Sequence, residues 1–176
     1  MKIGVISDTH GNLYSWNKAY EGFLDCDVII HCGDILAPGP KNPIPDGYNP
    51  PLLADKINAL SVPFLIAKGN CDSDVDSILL NPPILPFVFL QDGKKRIIAS
   101  HGHLPIDPSQ FKADIFITGH THIPSLEEKG EIIYLNPGSP SVPLSKEKIP
   151  SYATIDDKIT IYNLKHEVIK EGYILK

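Results

Sequence analysis

The sequence predicts an α/β fold in which two β-sheets pack together and helices flank them. Residues 2–68 alternate between strand-like and helix-like segments, and this alternation implies right-handed crossovers and a parallel sheet. Residues 86–175 are rich in strand-like segments and poor in helical ones. A chain of 176 residues is long enough to bury a full core, so we expect one domain spanning residues 1–176.

The first part of the chain contains three predicted strands and two predicted helices in alternation. Residues 2–7 form a continuous apolar run, which is typical of a strand buried on both faces. Apolar residues close to i, i+3, i+4 and i+7 spacing predict a helix over 12–25. Further strands are predicted over 28–32 and 62–68, with a helix over 52–60 between them.

The second part of the chain is predicted to consist mainly of strands joined by short turns. Asp92-Gly93 and Asp156-Asp157 are typical of hairpin turns. The predicted strands span residues 86–90, 96–100, 114–118, 132–135, 152–155, 159–164 and 168–175.

The composition is that of a globular chain, with 42% hydrophobic and 21% charged residues. The formal charge of −5 argues against a general affinity for nucleic acid, whose backbone favours basic surfaces. No run of about 18 apolar residues is present, so we expect no membrane span. Residues 1–4 lead straight into a strand pattern and do not resemble a signal peptide.

The three cysteines, Cys26, Cys32 and Cys71, lack Cys-x-x-Cys spacing. This pattern predicts neither a disulfide framework nor a thiolate zinc site. A reducing cytoplasmic location is therefore expected.

Five short polar segments contain most of the seven histidines, and most of these segments follow predicted strands. Side chains at the ends of adjacent parallel strands converge, and ligands bind there. Oxygen and imidazole groups gathered in such a place indicate a pair of divalent metal ions, and hence an enzyme. Each motif alone is more often a turn or a structural residue, but their joint occurrence in this order is hard to attribute to chance. The segments are Asp8-Thr9-His10, Gly33-Asp34, Gly69-Asn70, Ser100-His101-Gly102-His103 and Gly119-His120-Thr121-His122.

These residue types suit two metal ions held roughly 3.5–4 Å apart. A carboxylate can bridge two ions through its two oxygens, which selects Asp34 or Asp8 as the bridge. His120 and His122 can aim at different ions, and Asn70 supplies a neutral carbonyl oxygen. Nitrogen and oxygen ligands without a thiolate suit manganese, iron, cobalt or zinc. Two carboxylates do not neutralise two divalent ions. The net positive charge of the site should therefore attract phosphate oxygens and stabilise a five-coordinate phosphorus transition state.

Residues 38–51 form an unusual segment that contains six prolines. Such a stretch can be neither a helix nor a central strand, and a long loop in a compact domain is usually functional or mobile. Because the segment comes just after Asp34, one interpretation is a wall of a substrate pocket. A surface insertion or an oligomer contact fits equally well.

The order and identity of these motifs resemble the calcineurin-like metallophosphoesterase superfamily, and within it the small phosphodiesterases of the YfcE type. The resemblance covers nearly the full length and includes the segments at 39–48, 69–76 and 136–139. It implies a four-layer α/β/β/α sandwich of two mixed β-sheets flanked by helices, which agrees with the two-sheet prediction. It also implies a metal-dependent phosphodiesterase in which a hydroxide bridging two metal ions attacks phosphorus in line.

The resemblance implies a role for each metal-binding position. The implied ligands are Asp8, His10 and His122 for the first ion, Asn70, His101 and His120 for the second, and Asp34 for both. Of these, Asp34, Asn70 and His101 are also expected to act in catalysis. Two divalent ions are the expected cofactors, with Mn²⁺ preferred and Zn²⁺, Fe²⁺, Co²⁺ or Ni²⁺ as alternatives.

One position departs from many members of the superfamily, in which a histidine follows the asparagine and can protonate the leaving oxygen. This chain has Cys71 there, as the YfcE-type branch does. A thiol with a pKa near ~8.5 can donate a proton but reaches less far than an imidazole. Cys71 is also a candidate nucleophile, although we favour simple packing beneath the metal site. His103, two residues from His101, is expected to contact substrate or to support the ligands.

Three further features of the sequence have weaker functional interpretations. His31 is expected to form a hydrogen bond near the metals without ligating them. The acidic run of Asp72, Asp74 and Asp76 is typical of a solvated loop and helix start. Lys68 is either a contact for a substrate phosphate or a solvated surface residue.

The leading functional prediction is a phosphodiesterase that acts on a small phosphate ester. Phosphomonoesterase and nuclease activity at the same site are alternatives, and the acidic charge disfavours the second. A non-catalytic protein-interaction scaffold is an alternative from a different class, as in the eukaryotic retromer subunit that resembles these enzymes. The complete ligand set favours catalysis. A homo-oligomer is also consistent with the 38–51 loop and the C-terminal strands.

Overall fold

The computed structural model describes residues 1–174, in which twelve strands form two mixed β-sheets. The strands of the first sheet are β1 (Ile3–Ile6), β2 (Val28–His31), β3 (Phe64–Ala67), β4 (Ile84–Leu85), β10 (Ser151–Ile155), β11 (Lys158–Asn163) and β12 (Val168–Tyr173). The strands of the second sheet are β5 (Val88–Asp92), β6 (Lys95–Ala99), β7 (Ile115–Ile117), β8 (Ser125–Lys129) and β9 (Ile132–Asn136).

Both sheets are mixed, with parallel and antiparallel pairs of strands. The first sheet has the order β12–β11–β10–β1–β2–β3–β4, in which β1 to β4 pair in parallel and the other pairs are antiparallel. The second has the order β5–β6–β7–β9–β8, with β6, β7 and β9 parallel and the outer strands antiparallel. The carboxyl ends of the parallel strands are the places where the polar segments of the sequence lie.

The inner faces of the two sheets share one apolar cluster. Val5 and Ile30 of the first sheet and Ile115 and Ile117 of the second are completely buried in it. The sequences of these strands are continuous apolar runs because both faces of each strand are covered. Their contact fixes one sheet against the other.

Helices cover the outer face of the first sheet. The helices are α1 (Leu13–Tyr20), which continues as a 3₁₀ helix over Glu21–Phe23, α2 (Pro50–Asn58) and the short α3 (Asp76–Leu79). Trp16 of α1 and Leu53 of α2 are buried against Ile29 and Ile66 of the sheet. The Asn12 side chain caps α1 by accepting a hydrogen bond from the backbone N–H of Ser15 at 3.0 Å.

The fourth layer, on the outer face of the second sheet, contains a short 3₁₀ helix. A 3₁₀ helix over Pro108–Phe111 packs beside this sheet, where Phe111 contacts Phe87 with ring centroids 5.1 Å apart. Ile98 and Phe116 of the sheet are buried beneath this layer. The predicted α/β/β/α architecture with two mixed sheets is thereby confirmed, with few helices.

The observed helices differ from the predicted ones at their ends. The helix predicted over 12–25 is an α-helix only to Tyr20, after which it tightens into the 3₁₀ turn. The helix predicted from residue 52 begins two residues earlier, at Pro50. Proline fits the first turn of a helix because its missing N–H has no intrahelical partner there. No helix within residues 1–174 is both long and apolar enough to span a membrane.

Two strands were not predicted, and both are at sheet edges. β8 has a polar sequence in which Leu126 is the one buried residue, so it lacks an apolar run. β4 consists of two residues, Ile84 and Leu85, which is too short to give a pattern. The predicted end of the last strand at Leu175, like the end of the predicted domain at Lys176, lies outside the described residues.

Truncation of the core between the sheets should destabilise the protein strongly. We expect Ile30→Ala to lower the free energy of unfolding by about 2–5 kcal/mol, because Ile30 is completely buried and its removal leaves a cavity. Urea titration followed by circular dichroism measures this change. Ile78→Ala is the matched control, since that side chain is 81% exposed and its loss should cost less than about 0.5 kcal/mol. Equal effects of the two substitutions would contradict this account of the core.

Candidate metal centre

The predicted metal ligands lie together at the ends of parallel strands from both sheets. Each follows its strand by two to five residues, so the chain leaves the sheet just before the predicted ligand. The ligands are Asp8 and His10 after β1, Asp34 after β2, Asn70 after β3, His101 after β6, and His120 and His122 after β7. Strands from the two packed sheets therefore supply one common centre.

Three of the histidines point Nε2 into this centre because a backbone carbonyl holds the opposite ring nitrogen. A carbonyl oxygen can only accept a hydrogen bond, so Nδ1 carries the proton and Nε2 keeps its lone pair. The acceptors are the carbonyl oxygens of Ala37 for His10 (2.8 Å), Cys32 for His101 (2.7 Å) and Val142 for His122 (2.6 Å). The rings are thus set in the tautomer that a metal ion requires.

The ligand atoms form two neighbouring groups. Asp8, His10 and His122 each place one ligand atom within 4.8 Å of the others, and Asp8, Asp34 and His101 form a second such group. Oδ1 of Asp8 lies 3.2 Å from Nε2 of His122. Oδ2 of Asp34 lies 3.4 Å from Nε2 of His101 and 3.9 Å from Nε2 of His10, so this carboxylate stands between the two groups.

Asn70 and His120 complete the second group. Oδ1 of Asn70 lies 3.0 Å from Nε2 of His101. Nδ1 of His120 lies 3.3 Å from the same Nε2 atom. All seven predicted ligand positions therefore adjoin one centre.

The residues present fit divalent cations. Oδ1 of Asp8 is buried and has no hydrogen-bond partner within residues 1–174, and a buried carboxylate oxygen without a donor is costly. Although burial opposes it, the carboxylates of Asp34 and Asp8 raise the pKa of His101, as negative charges beside an imidazole should. Imidazole nitrogens and carboxylate and amide oxygens suit manganese, iron, cobalt or zinc.

Most of the ligands occupy strained backbone conformations. Positive φ values are uncommon for residues other than glycine, and each costs of order 1 kcal/mol or more unless the surroundings impose it. Among the described non-glycine residues with positive φ, most are members of the metal centre. They are Asp8 (57°), His10 (46°), Asp34 (59°), His120 (67°) and His122 (57°). The fold thus imposes on these turns a conformation that turns the side chains into the centre.

Glycines let the ligand turns approach each other closely. A Cβ atom on Gly69 would collide with Oδ1 and the backbone nitrogen of Asp34. A Cβ atom on Gly119 would collide with Ser7 and lie 2.7 Å from Oδ2 of Asp8. The glycines of the Gly-Asn and Gly-His motifs are therefore required by packing against the neighbouring ligand.

Asp72 connects two of the ligand turns, and its predicted position in a solvated loop is wrong. It is 5% exposed and accepts backbone hydrogen bonds from Asp34 (2.9 Å), Ile35 (2.8 Å) and Gly69 (2.7 Å). The acidic run concealed this role, because Asp74 is exposed and pairs with Lys68 at 3.0 Å, and Asp76 begins α3 as the sequence predicted. This ion pair holds the amine of Lys68 at a surface carboxylate.

His31 supports the centre from beneath without facing it. Its Nδ1 accepts a hydrogen bond from the backbone N–H of Gly33 at 3.0 Å, and its Nε2 lies 3.0 Å from Oγ1 of Thr9. Thr9 in turn donates to the carbonyl oxygen of Ile35 at 2.9 Å. Complete burial lowers the pKa of His31 to about 3, so the ring is neutral and can accept the hydrogen bond from Gly33.

Residues 136–141 also support the centre, and the sequence assigned them no role. Oγ of Ser139 and Oγ of Ser141 both donate to the backbone carbonyl of Asp8, at 2.7 and 3.0 Å. Nδ2 of Asn136 donates to the carbonyl of Gly119 at 2.8 Å. Asn136 and Ser139 lie in the segment that carried part of the family resemblance, and this was the signal available for them.

Cys71 lies at the rim of the centre as a thiol. Its backbone N–H donates to Oδ1 of Asp34 at 2.8 Å, and its Sγ accepts from Nδ2 of Asn70 at 3.2 Å. Burial and the Asp34 carboxylate raise the pKa of the Cys71 thiol to about 12. Since the thiolate is the nucleophilic form of cysteine, this environment does not favour Cys71 as a nucleophile.

His103 packs against two ligand rings. Its ring centroid is 5.3 Å from that of His101 and 6.3 Å from that of His120. Its Nδ1 atom is buried and finds no hydrogen-bond partner in the described part of the chain. Burial and the neighbouring histidines lower its pKa, which favours a neutral ring beside a cationic centre.

This fold and this centre define a metallophosphoesterase-like protein, in which two mixed sheets carry nitrogen and oxygen ligands on the same edge. A family model described as the calcineurin-like phosphoesterase superfamily domain matches residues 1–158. The chain therefore belongs to the calcineurin-like phosphoesterase superfamily. The predicted family and the predicted class of enzyme are confirmed.

Named proteins of similar sequence agree with the assignment to this superfamily. The chain is 36% identical to phosphodiesterase YfcE of Escherichia coli over 166 residues, which cover 90% of this chain and 89% of that protein. It is 33% identical to a probable metallophosphoesterase of Methanocaldococcus jannaschii over 172 residues, which cover 90% of this chain and 78% of the relative.

Solved structures show the same fold. The structure of YfcE from E. coli matches with a TM-score of 0.90 and 33% identity, covering 99% of this chain and 100% of that chain. Vps29 from Entamoeba histolytica, in a complex with Zn²⁺, matches with a TM-score of 0.69 and covers 99% of this chain and 100% of that one. At 22% identity, the Vps29 match shows the fold alone.

Removal of the Asp72 carboxylate should weaken the metal centre without touching a ligand. We expect Asp72→Ala to lower metal affinity about 10–100-fold, because it frees the two turns that carry Asp34 and Asn70. Isothermal titration of metal-stripped protein with Mn²⁺ measures this change, and thermal unfolding reports the accompanying loss of stability. Asp74→Ala is the control, since that side chain is 98% exposed. A variant that binds Mn²⁺ as tightly as the unaltered protein would contradict this role.

Proposed function

We propose that this protein is a metal-dependent phosphodiesterase that hydrolyses a small phosphate ester. The observation that carries the proposal is the convergence of the ligand groups, with Asp34 standing between them. The identity of 36% with phosphodiesterase YfcE over 90% of the chain supports the diester as the substrate class. The preference for diesters over monoesters is part of the proposal.

The chain would hold one ion through Asp8, His10 and His122 and the other through Asn70, His101 and His120, with Asp34 between them. Two divalent ions in this place supply Lewis-acid polarisation of the phosphoryl oxygen and a hydroxide nucleophile at neutral pH. The nitrogen and oxygen donors suit Mn²⁺, our first choice, and also Zn²⁺, Fe²⁺, Co²⁺ and Ni²⁺.

The residues of the chain then have two kinds of task. The backbone carbonyls behind His10, His101 and His122 hold each ring with its lone pair inward. Although burial opposes ionisation, the neighbouring His101 side chain and the hydrogen bond from the backbone N–H of Cys71 hold the pKa of Asp34 below its ordinary value, so Asp34 keeps its negative charge. Preorganised charge of this kind lowers the cost of reaching the transition state.

Protonation of the leaving oxygen is the weak step of this arrangement. The thiol of Cys71 stands where many relatives have a histidine, and with a pKa near 12 it is a poor acid at neutral pH. Neutral His103 stands beside His101 and His120 and is the other candidate for contact with the substrate. We therefore propose that activated diesters, whose leaving groups need no proton, react best.

A scaffold function is the second candidate, because Vps29 has the same fold with a TM-score of 0.69. The intact set of ligand groups favours catalysis over this alternative. Nuclease activity is disfavoured by the formal charge of −5. We also propose a cytoplasmic location, in keeping with three free cysteines.

Removal of metal should abolish hydrolysis of an activated diester such as bis(p-nitrophenyl) phosphate. We expect one or more of Mn²⁺, Zn²⁺, Co²⁺, Fe²⁺ and Ni²⁺ to restore the rate, measured by release of p-nitrophenolate from metal-stripped protein. Asp34→Asn should lower the restored rate about 100-fold or more, because the group between the ions loses its charge. Asp74→Asn, which alters an exposed carboxylate, should leave it unchanged. Metal binding without turnover of any ester would favour the scaffold function.

A histidine at position 71 should broaden the range of leaving groups. We expect Cys71→His to accelerate hydrolysis of unactivated alkyl esters about 10-fold or more, because an imidazole is a stronger acid than this thiol and reaches further. The rate on bis(p-nitrophenyl) phosphate should change little, since its leaving group needs no proton. Cys71→Ser is the control for the loss of the thiol. A Cys71→His variant with normal metal content and no gain on alkyl esters would contradict this account.

A further inference from the structure

The proline-rich segment 38–51 is fastened to the metal centre at both of its ends. At its far end, the backbone N–H of Leu13 donates to the carbonyl of Gly47 at 3.0 Å, and that of Asn49 donates to the carbonyl of Gly11 at 2.7 Å. The Tyr48 ring packs on Gly11, where a Cβ atom would collide with it. The end of the segment is therefore held against the turn that carries His10.

The beginning of the segment lies against two residues of the centre. The carbonyl of Ala37, just before the segment, holds Nδ1 of His10 at 2.8 Å. Gly39 packs on Cys71, where a Cβ atom would lie 2.6 Å from Sγ. The segment thus forms one wall of the metal centre, which supports one of the two interpretations that the sequence left open.

Asn42 extends from this wall toward the ligands. Its Nδ2 lies 3.3 Å from Nε2 of His10 and is the donor in this contact, because Nδ1 of His10 already donates to Ala37. A metal ion on His10 requires the same lone pair. Occupation of the site therefore leaves the Asn42 amide as an unpaired hydrogen-bond donor beside the ion.

We propose that Asn42 binds a non-bridging oxygen of the substrate phosphate and so positions the ester at the metal centre. This inference rests on the proposed phosphoesterase function and deepens it. The ligand carboxylates are acceptors and would repel a phosphate oxygen, whereas the Asn42 amide donates. The nearby amine of Lys68 is taken up by Asp74 at 3.0 Å.

The neutrality of the donor points to the substrate class. A diester carries a single negative charge shared by two non-bridging oxygens, and two divalent ions already supply positive charge. An amide then adds direction without adding charge, whereas a monoester dianion is better matched by a bidentate arginine. Asn42 therefore favours a phosphodiester over a phosphomonoester.

Binding of inorganic phosphate to Mn²⁺-loaded protein tests the proposal without requiring turnover. We expect Asn42→Ala to weaken phosphate affinity about 10-fold, measured by isothermal titration, while Mn²⁺ affinity changes less than about twofold. Asn42→Asp is nearly isosteric, and it should weaken phosphate affinity further because it replaces a donor with a negative charge. Lys41→Ala, the neighbouring exposed residue, is the control for a general loss of positive charge.

Kinetics with bis(p-nitrophenyl) phosphate separate positioning from structure. Asn42→Ala should raise KM about 10-fold with a smaller change in kcat, whereas general damage to the loop would lower Mn²⁺ affinity as well. Unchanged phosphate affinity in Asn42→Ala, or an equal loss in Lys41→Ala, would overturn the proposal. A loss of Mn²⁺ affinity large enough to explain the whole loss of phosphate affinity would also overturn it. If the unaltered protein binds phosphate through Asn42 but hydrolyses no ester, the proposed function fails, and of this inference only the contact between Asn42 and phosphate stands.

Discussion

The apolar contact between the two sheets is the constraint on which the metal centre depends. Each sheet contributes parallel strands whose carboxyl ends reach the same edge, and their inner faces are held together by completely buried residues such as Val5, Ile30 and Ile117. Within residues 1–174, each contributing strand brings one or two of the predicted ligands. The ligands of the first sheet meet those of the second because the core fixes the separation and the stagger of the sheets.

The turns beyond the strands convert this alignment into a binding geometry at a cost in backbone strain. The predicted ligands with positive φ values keep these conformations because contacts with the surrounding residues impose them. Asp72 holds the turns of Asp34 and Gly69, and Ser139 and Ser141 hold the carbonyl of Asp8. The stability provided by the core thus offsets the cost of orienting polar groups that repel one another in the absence of positive charge.

The match to Vps29 concerns the fold and says nothing about the chemistry of the site. The two-sheet scaffold is shared at a TM-score of 0.69, although the sequences are 22% identical. Function must therefore be argued from the site. In this chain the ligand groups, the supporting carboxylate of Asp72 and the wall formed by residues 38–51 are all directed at one place. This agreement among independent features is what favours catalysis.

The sequence by itself determined the fold class and the family, and it predicted the ligand positions, because buried parallel strands are apolar throughout and the polar motifs follow their ends. The edge strand β8 escaped prediction because its residues are mostly polar. Asp72 was misjudged because a buried carboxylate and a solvated one look alike in a sequence, and only its three backbone donors distinguish them. The direction of the Asn42 amide was likewise decided by tertiary structure, since contacts between distant segments orient a loop that has no periodic pattern of its own.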